Sequence, residues 1–108
     1  MSVLENLFNP IIQYLNIPNV TYCRLIKVKN IVFMTVDSGS LFLNRNINDK
    51  LFNIPDPFRP IGLVYFSSAF INNSGSSTFR LHESGDLYIC NKDPGIGAYY
   101  FTISYVSR

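Results

Sequence analysis

Through most of this chain apolar and polar residues alternate with a period of two. The runs are short and are broken by Gly, Pro, Asn, Asp and Ser. That period belongs to a strand with one buried face, because successive side chains of a pleated strand point to opposite sides. The pattern predicts strands over 20–29, 31–36, 41–43 and 62–71, with a weaker extended piece at 50–54. The best-defined unit is a hairpin over 78–91. Phe79 and Leu81 alternate with Arg80 and His82, and after the turn Leu87 and Ile89 alternate with Asp86 and Tyr88. Glu83-Ser84-Gly85 suits a type I turn with glycine in the left-handed position, so Gly85 is expected at positive φ. The last strand buries Tyr99, Phe101, Ile103 and Tyr105 and turns Tyr100, Thr102 and Ser104 away. Phe79, Leu81, Leu87, Ile89, Phe101 and Ile103 are the expected heart of the core.

The connections carry turn chemistry. Asp37-Ser38-Gly39-Ser40 and Asn44-Arg45-Asn46 read as turns. Pro55, Pro57 and Pro60 force an irregular extended crossing, since each excludes helix at its own position and biases the residue before it. Residues 72–77 form a polar run with no apolar anchor, expected to be an exposed, mobile loop, and 91–97 is a glycine-rich loop. Only the N-terminus departs from the strand period. Val3, Leu4, Leu7, Phe8, Ile11, Ile12 and Leu15 recur at spacings of three and four, which predicts a helix over 3–16 with Ser2 and Glu5 as a capping box. Pro10 lacks an N–H, so the helix should break near Asn9, or restart with Asn9 as cap and Pro10 at the first position.

The expected organisation is therefore a helical, oligomerising segment over 1–18 followed by an all-β domain over 19–108. That domain is an antiparallel β-sandwich or barrel knob. No alternation of helix and strand is present, which excludes a parallel nucleotide-binding sheet.

Composition narrows the choice. At 108 residues the chain is one domain's length, and 47% apolar residues supply a core. Charged residues are 15%, where roughly 25% is usual. So low a charge points to surface hidden in an oligomer. The net charge of +2 is too weak for nucleic acid, and Arg24, Lys27 and Lys29 make no stripe: in one strand Lys27 and Lys29 share a face and Arg24 takes the other. No run approaches the ~20 apolar residues of a membrane helix. Met1-Ser2-Val3-Leu4-Glu5 lacks a basic leader, so a soluble, cytoplasmically made chain is expected. Cys23 and Cys90 sit in apolar runs and read as small buried hydrophobes, with their pairing left open.

Catalytic chemistry has little to stand on. His82 is the sole histidine, it lies beside a hairpin turn, and no nucleophile elbow is near it. One His and two separated Cys give no zinc spacing. Gly95-Ile96-Gly97 precedes no helix and cannot be a phosphate loop. No enzyme activity, metal or cofactor is expected. What remains is a binding surface. Arg80, His82, Asp86 and Tyr88 on the hairpin's even face, with Tyr100 from the last strand and the loop residues Asn91 and Asp93, combine flat rings with charged hydrogen-bonding groups. Such a set can hold a saccharide, or can be an ordinary solvated or subunit-contact face.

Phe58-Arg59-Pro60, then Phe79-Arg80-Leu81 with Gly85-Asp86-Leu87-Tyr88-Ile89, then Ile103-Ser104-Tyr105 follow in an order that resembles the C-terminal tip domains of phage tail fibres and baseplate receptor-binding proteins. The resemblance covers about half the chain, residues 55–106. It implies a β-sandwich knob, homotrimeric, with an N-terminal helix near the threefold axis joining it to other tail or baseplate proteins. It further implies a place in the virion and attachment to host cell-surface saccharide. The alternative within the same resemblance is a structural or adaptor protein of the virion that binds no glycan.

Overall fold

The computed structural model describes residues 9–39, 46–69, 76–92 and 99–108. They form eight strands: β1 (Ile11–Tyr14), β2 (Tyr22–Val28), β3 (Ile31–Asp37), β4 (Lys50–Asn53), β5 (Val64–Ala69), β6 (Ser76–Leu81), β7 (Asp86–Lys92) and β8 (Tyr100–Val106). Two antiparallel four-stranded sheets result. The first has the order β1-β2-β3-β8 and the second β4-β7-β6-β5. In the second sheet β5, β6 and β7 follow one another as hairpins and β4 returns beside β7, a Greek-key arrangement. The expected all-β sandwich is thus present, and no helix occurs among the described residues.

The core is the inward-facing residues of both sheets. Cys23 and Leu25 of β2, Val32, Met34 and Val36 of β3, and Phe101 and Tyr105 of β8 meet Phe79, Leu81, Leu87 and Ile89 of the second sheet. Aromatic rings close the gap between the sheets. Phe66 stacks on Phe79 at 5.2 Å and meets Phe101 at 5.0 Å, while Tyr99 stands edge-on to Phe79 at 5.4 Å. Five of the six residues expected at the heart of the core are buried, and Ile103 is partly buried against them. The β4–β7 register slips between Lys50 and Phe52. That bulge is why adjacent residues Leu51 and Phe52 are both buried in a strand whose period should bury only one.

The β6–β7 turn follows the sequence closely. Gly85 N–H donates to His82 O at 2.8 Å, and Gly85 takes φ 88°. This is a type I turn closed by a left-handed glycine. The proline crossing is pinned by β8. Tyr105 Oη donates to Phe58 O at 2.7 Å, Ile61 N–H donates to Val106 O at 2.9 Å, and Phe58 is fully buried.

Four expectations require correction. First, residues 11–14 are a strand, not a helix, and pair in register with β2 from Ile11↔Lys27 to Tyr14↔Arg24. Pro10 leaves too little chain for a stable helix before Pro18. The β-branched Ile11 and Ile12 suit a strand, and Pro18-Asn19 forms a turn with Asn19 at φ 66° and Val20 N–H donating to Ile17 O. That turn brings the segment back onto β2. The rest of the expected helix, up to Phe8, lies outside the described residues, as does the expected strand at 41–43. Second, Ser76 and Ser77 belong to β6 and not to a loop, and buried Ser77 shares a hydrogen bond with the Tyr99 hydroxyl. Third, Lys27 does not lie on a surface face with Lys29. It points inward, 8% exposed, and its ammonium donates to the main-chain oxygens of Pro57 and Arg108, while Lys29 sits in the β2–β3 turn at φ 55°. A buried cation is tolerable here because oxygens replace its water. Fourth, Cys90 is only half-buried, at a register slip of the β6–β7 pair. It lies in the opposite sheet from buried Cys23, and both thiols are free.

Candidate functional site

Register builds a polar-aromatic row across the outer face of the second sheet. Tyr65 of β5 lies opposite Arg80 of β6, Arg80 lies opposite Tyr88 of β7, and Tyr88 lies opposite Lys50 of β4. Directly opposed residues on one face stand close enough for their side chains to touch. The inward neighbours of this row are core residues: Phe66 and Val64, then Phe79 and Leu81, then Leu87 and Ile89. The core therefore fixes where the outward side chains stand.

Arg80 is the centre of the row. Its guanidinium lies over the Tyr88 ring with Cζ 4.6 Å from the centroid. Nε donates to His82 Nε2 at 3.0 Å, and Nη1 donates to Asn48 Oδ1 at 3.0 Å and to Cys90 Sγ at 3.5 Å. His82 in turn meets the Tyr88 ring edge-on at 5.0 Å. Because His82 Nε2 accepts, the imidazole carries its proton on Nδ1. Tyr65, on the other side of Arg80, is 63% exposed.

Of the residues singled out by sequence, Arg80, His82 and Tyr88 come together as expected. Asp86 is near but occupied. Its carboxylate accepts from Asn53 Nδ2 at 2.9 Å and from Ser84 Oγ at 3.2 Å, and Lys50 Nζ stands 3.9 Å away. The Asn53 hydrogen bond foremost, with help from Ser84 and Lys50, holds its carboxyl below the usual carboxylate range. Asp86 thus serves the turn. Tyr100 does not belong to this surface. It is on β8 opposite Asp37 of β3, in the first sheet, so its outward side faces away from Arg80 across the whole sandwich. Alternation gives a residue's side of its own strand, but not the sheet that strand joins. Asn91 pairs through its backbone with Thr78; its side chain, and all of Asp93, lie outside the described residues. Sequence reasoning missed Tyr65, Lys50 and Asn48. For Tyr65 a signal existed: Val64-Tyr65-Phe66-Ser67 alternates, but reads as one apolar run.

The outer face of the first sheet is different in kind. Ile12, Tyr14, Ile31, Phe33, Tyr100 and Val106 are all exposed there, 38–62% each. Registers set Ile12, Ile26 and Phe33 in one row and Val28, Ile31 and Val106 near another. Arg24 and Asp37 are its only charged residues among those described. Two adjoining rows of exposed apolar side chains mark a contact surface.

Elsewhere a cleft is lined by Asp56, Pro57, Arg59, Pro60, Glu83, Ser84 and Arg108. Its cations are engaged: Arg59 donates to Ile54 O at 2.9 Å and pairs with Asp56, and Arg108 pairs with Glu83. No group of three or more potential metal ligands occurs among the described residues. Neither a family model nor a curated protein matches the chain.

Proposed function

We propose that this chain is a host-attachment tip protein of a virion, binding cell-surface saccharide through the outer face of its second sheet. The observation that carries this reading is Arg80, held over the Tyr88 ring, tied to His82 and paired in register with the exposed Tyr65. Two rings beside an oriented guanidinium offer stacking area and directional donors together, which is what a sugar ring with its hydroxyls requires. The reading is one of binding: among the described residues His82 serves to orient Arg80.

The working form is a homotrimer. The apolar outer face of the first sheet is the surface that copies of this chain cover, because its two charges, Arg24 and Asp37, are of opposite sign and leave the face neutral. Three copies would turn a weak site into useful avidity. Light scattering that returned a 12.3 kDa particle at micromolar concentration would remove the trimer. A second reading is a structural or adaptor protein of the tail, baseplate or head. It is favoured by that same apolar face, which can equally seat another virion protein.

One double variant separates the two readings. Arg80→Ala with Tyr88→Ala should abolish binding to host cells while the oligomer stays intact. Dissociation of the oligomer would mean that the row is an assembly surface, and full retention of cell binding would end the attachment reading for this face.

A further inference from the structure

We infer that the saccharide held by this face is acidic, and that Arg80 receives its carboxylate, phosphate or sulfate group. The inference rests on the saccharide-binding reading above and goes on to name the ligand's chemical class.

The donor inventory of Arg80 is the starting point. A guanidinium has five N–H donors. One, on Nε, goes to His82, and the two on Nη1 go to Asn48 and Cys90. The two on Nη2 have no acceptor among the described residues. All three acceptors in use are neutral: an imidazole nitrogen, an amide oxygen and a thiol sulfur. Arg59 and Arg108, by contrast, each stand within 4 Å of a carboxylate, Asp56 and Glu83 respectively. Arg80 is therefore aimed by its described neighbours without being neutralised by any of them. The nearby carboxylate, Asp86, spends its oxygens on Asn53, Ser84 and Lys50.

Orientation decides what this charge can do. A free arginine on a surface samples many rotamers, and a ligand must order it at an entropic cost. Arg80 is already fixed by three hydrogen bonds and by the Tyr88 ring beneath it. Its two open donors share Nη2 and diverge, so they can reach two acceptor oxygens, and a charge-assisted bond to either is about twice as strong as a neutral one. Lys50, two strands away in the same row, is offset by Asp86 at 3.9 Å, so Arg80 carries the positive charge this face offers a ligand. Tyr65, opposite Arg80 on the strand away from Tyr88 and 63% exposed, offers a ring for the sugar to which the acid is attached. An anion without a sugar would use Arg80 and leave Tyr65 idle. A neutral sugar would use the rings and leave Nη2 idle. An acidic saccharide uses both.

The test is a glycan array of matched pairs, each pair differing only in whether the sugar carries its acid group, with inorganic polyphosphate as a sugar-free polyanion. The native protein should bind the acidic members at least about tenfold more tightly, the scale set by one charge-assisted contact. Arg80→Gln should remove that preference while retaining the native thermal midpoint, and Arg80→Lys should restore it only in part, because a point charge lacks the fixed fork. Tyr65→Ala should weaken acidic and neutral members alike. Equal binding within pairs, unchanged by Arg80→Gln, overturns the acidic inference and leaves the saccharide reading standing. Polyphosphate binding as tight as any acidic glycan, and indifferent to Tyr65→Ala, overturns it in favour of a general polyanion. Binding of no glycan at all overturns both.

Discussion

Replacing Gly85 with alanine should weaken this domain far more than one methyl group implies. Gly85 sits at φ 88°, where an L side chain is strained, and its own carbonyl accepts from Ile54 N–H at 2.8 Å. A Cβ built there would lie 2.1 Å from Ile54 O, a backbone atom that cannot swing aside. Backbone strain at such a position costs of order 1–3 kcal/mol. Relieving the overlap means moving β4 by more than an ångström, which gives up the Ile54–Gly85 hydrogen bond at about 1 kcal/mol. Alanine stiffens the unfolded chain and returns roughly 0.4–1 kcal/mol. The balance is a loss of about 1–3.5 kcal/mol, which for a domain of this size lowers the thermal midpoint by roughly 5 °C or more. Chemical denaturation monitored by tyrosine fluorescence measures it, and Gly62→Ala is the control, because a Cβ at Gly62 meets nothing within 4 Å. If Gly85→Ala and Gly62→Ala unfold at the same denaturant concentration, the turn and its docking onto β4 are wrong.

Three other outcomes follow from the structure. Phe101→Ala removes a ring that bridges Phe66 and Phe79 between the sheets, and should cost ~3–5 kcal/mol in equilibrium unfolding; an unchanged midpoint would show that β8 is in the wrong phase. Burial pushes the Cys23 thiol up to about 12, so its contribution to stability is complete below its ordinary value near 9 and is lost as pH rises through 12. Titration with a thiol reagent should accordingly modify Cys90 fast and Cys23 only on unfolding, and two equally fast thiols would contradict the packing. Asp86, held low first by Asn53, stabilises the hairpin above the usual carboxylate range and ceases to as pH falls below it; Asn53→Ala should shallow the acid limb of a stability–pH profile, and an unaltered limb would show that the contact is not made.

The second half of the chain was legible in the sequence and β1, Ile11–Tyr14, was not, for physical reasons. The β6–β7 hairpin carries local signals only: a period of two and a glycine at the turn. Both are set by neighbours a few residues away. Ile11 to Tyr14 is the opposite case. Its apolar spacing fits a helix, and only the partner strand β2, reached through the Pro18-Asn19 turn, decides for a strand. Lys27 shows the same limit, since its buried ammonium depends on oxygens 30 and 81 residues further along. In the site, Arg80, His82 and Tyr88 were readable because one hairpin holds them all. Tyr65 and Lys50 required the order β4-β7-β6-β5, and Tyr100 was misplaced for want of the order β1-β2-β3-β8. Faces are written in the alternation of a strand, whereas the assignment of strands to sheets is a long-range property of the whole chain.

The most direct measurement is amide chemical-shift mapping on the labelled protein, titrated with the tightest-binding acidic glycan of the array. Perturbations should concentrate on Tyr65, Arg80, His82 and Tyr88, fall away along β4, and leave Ile12, Phe33 and Tyr100 on the opposite sheet unmoved. Shifts centred on that apolar face of the first sheet, with the Arg80 row silent, would contradict the assignment of the ligand surface.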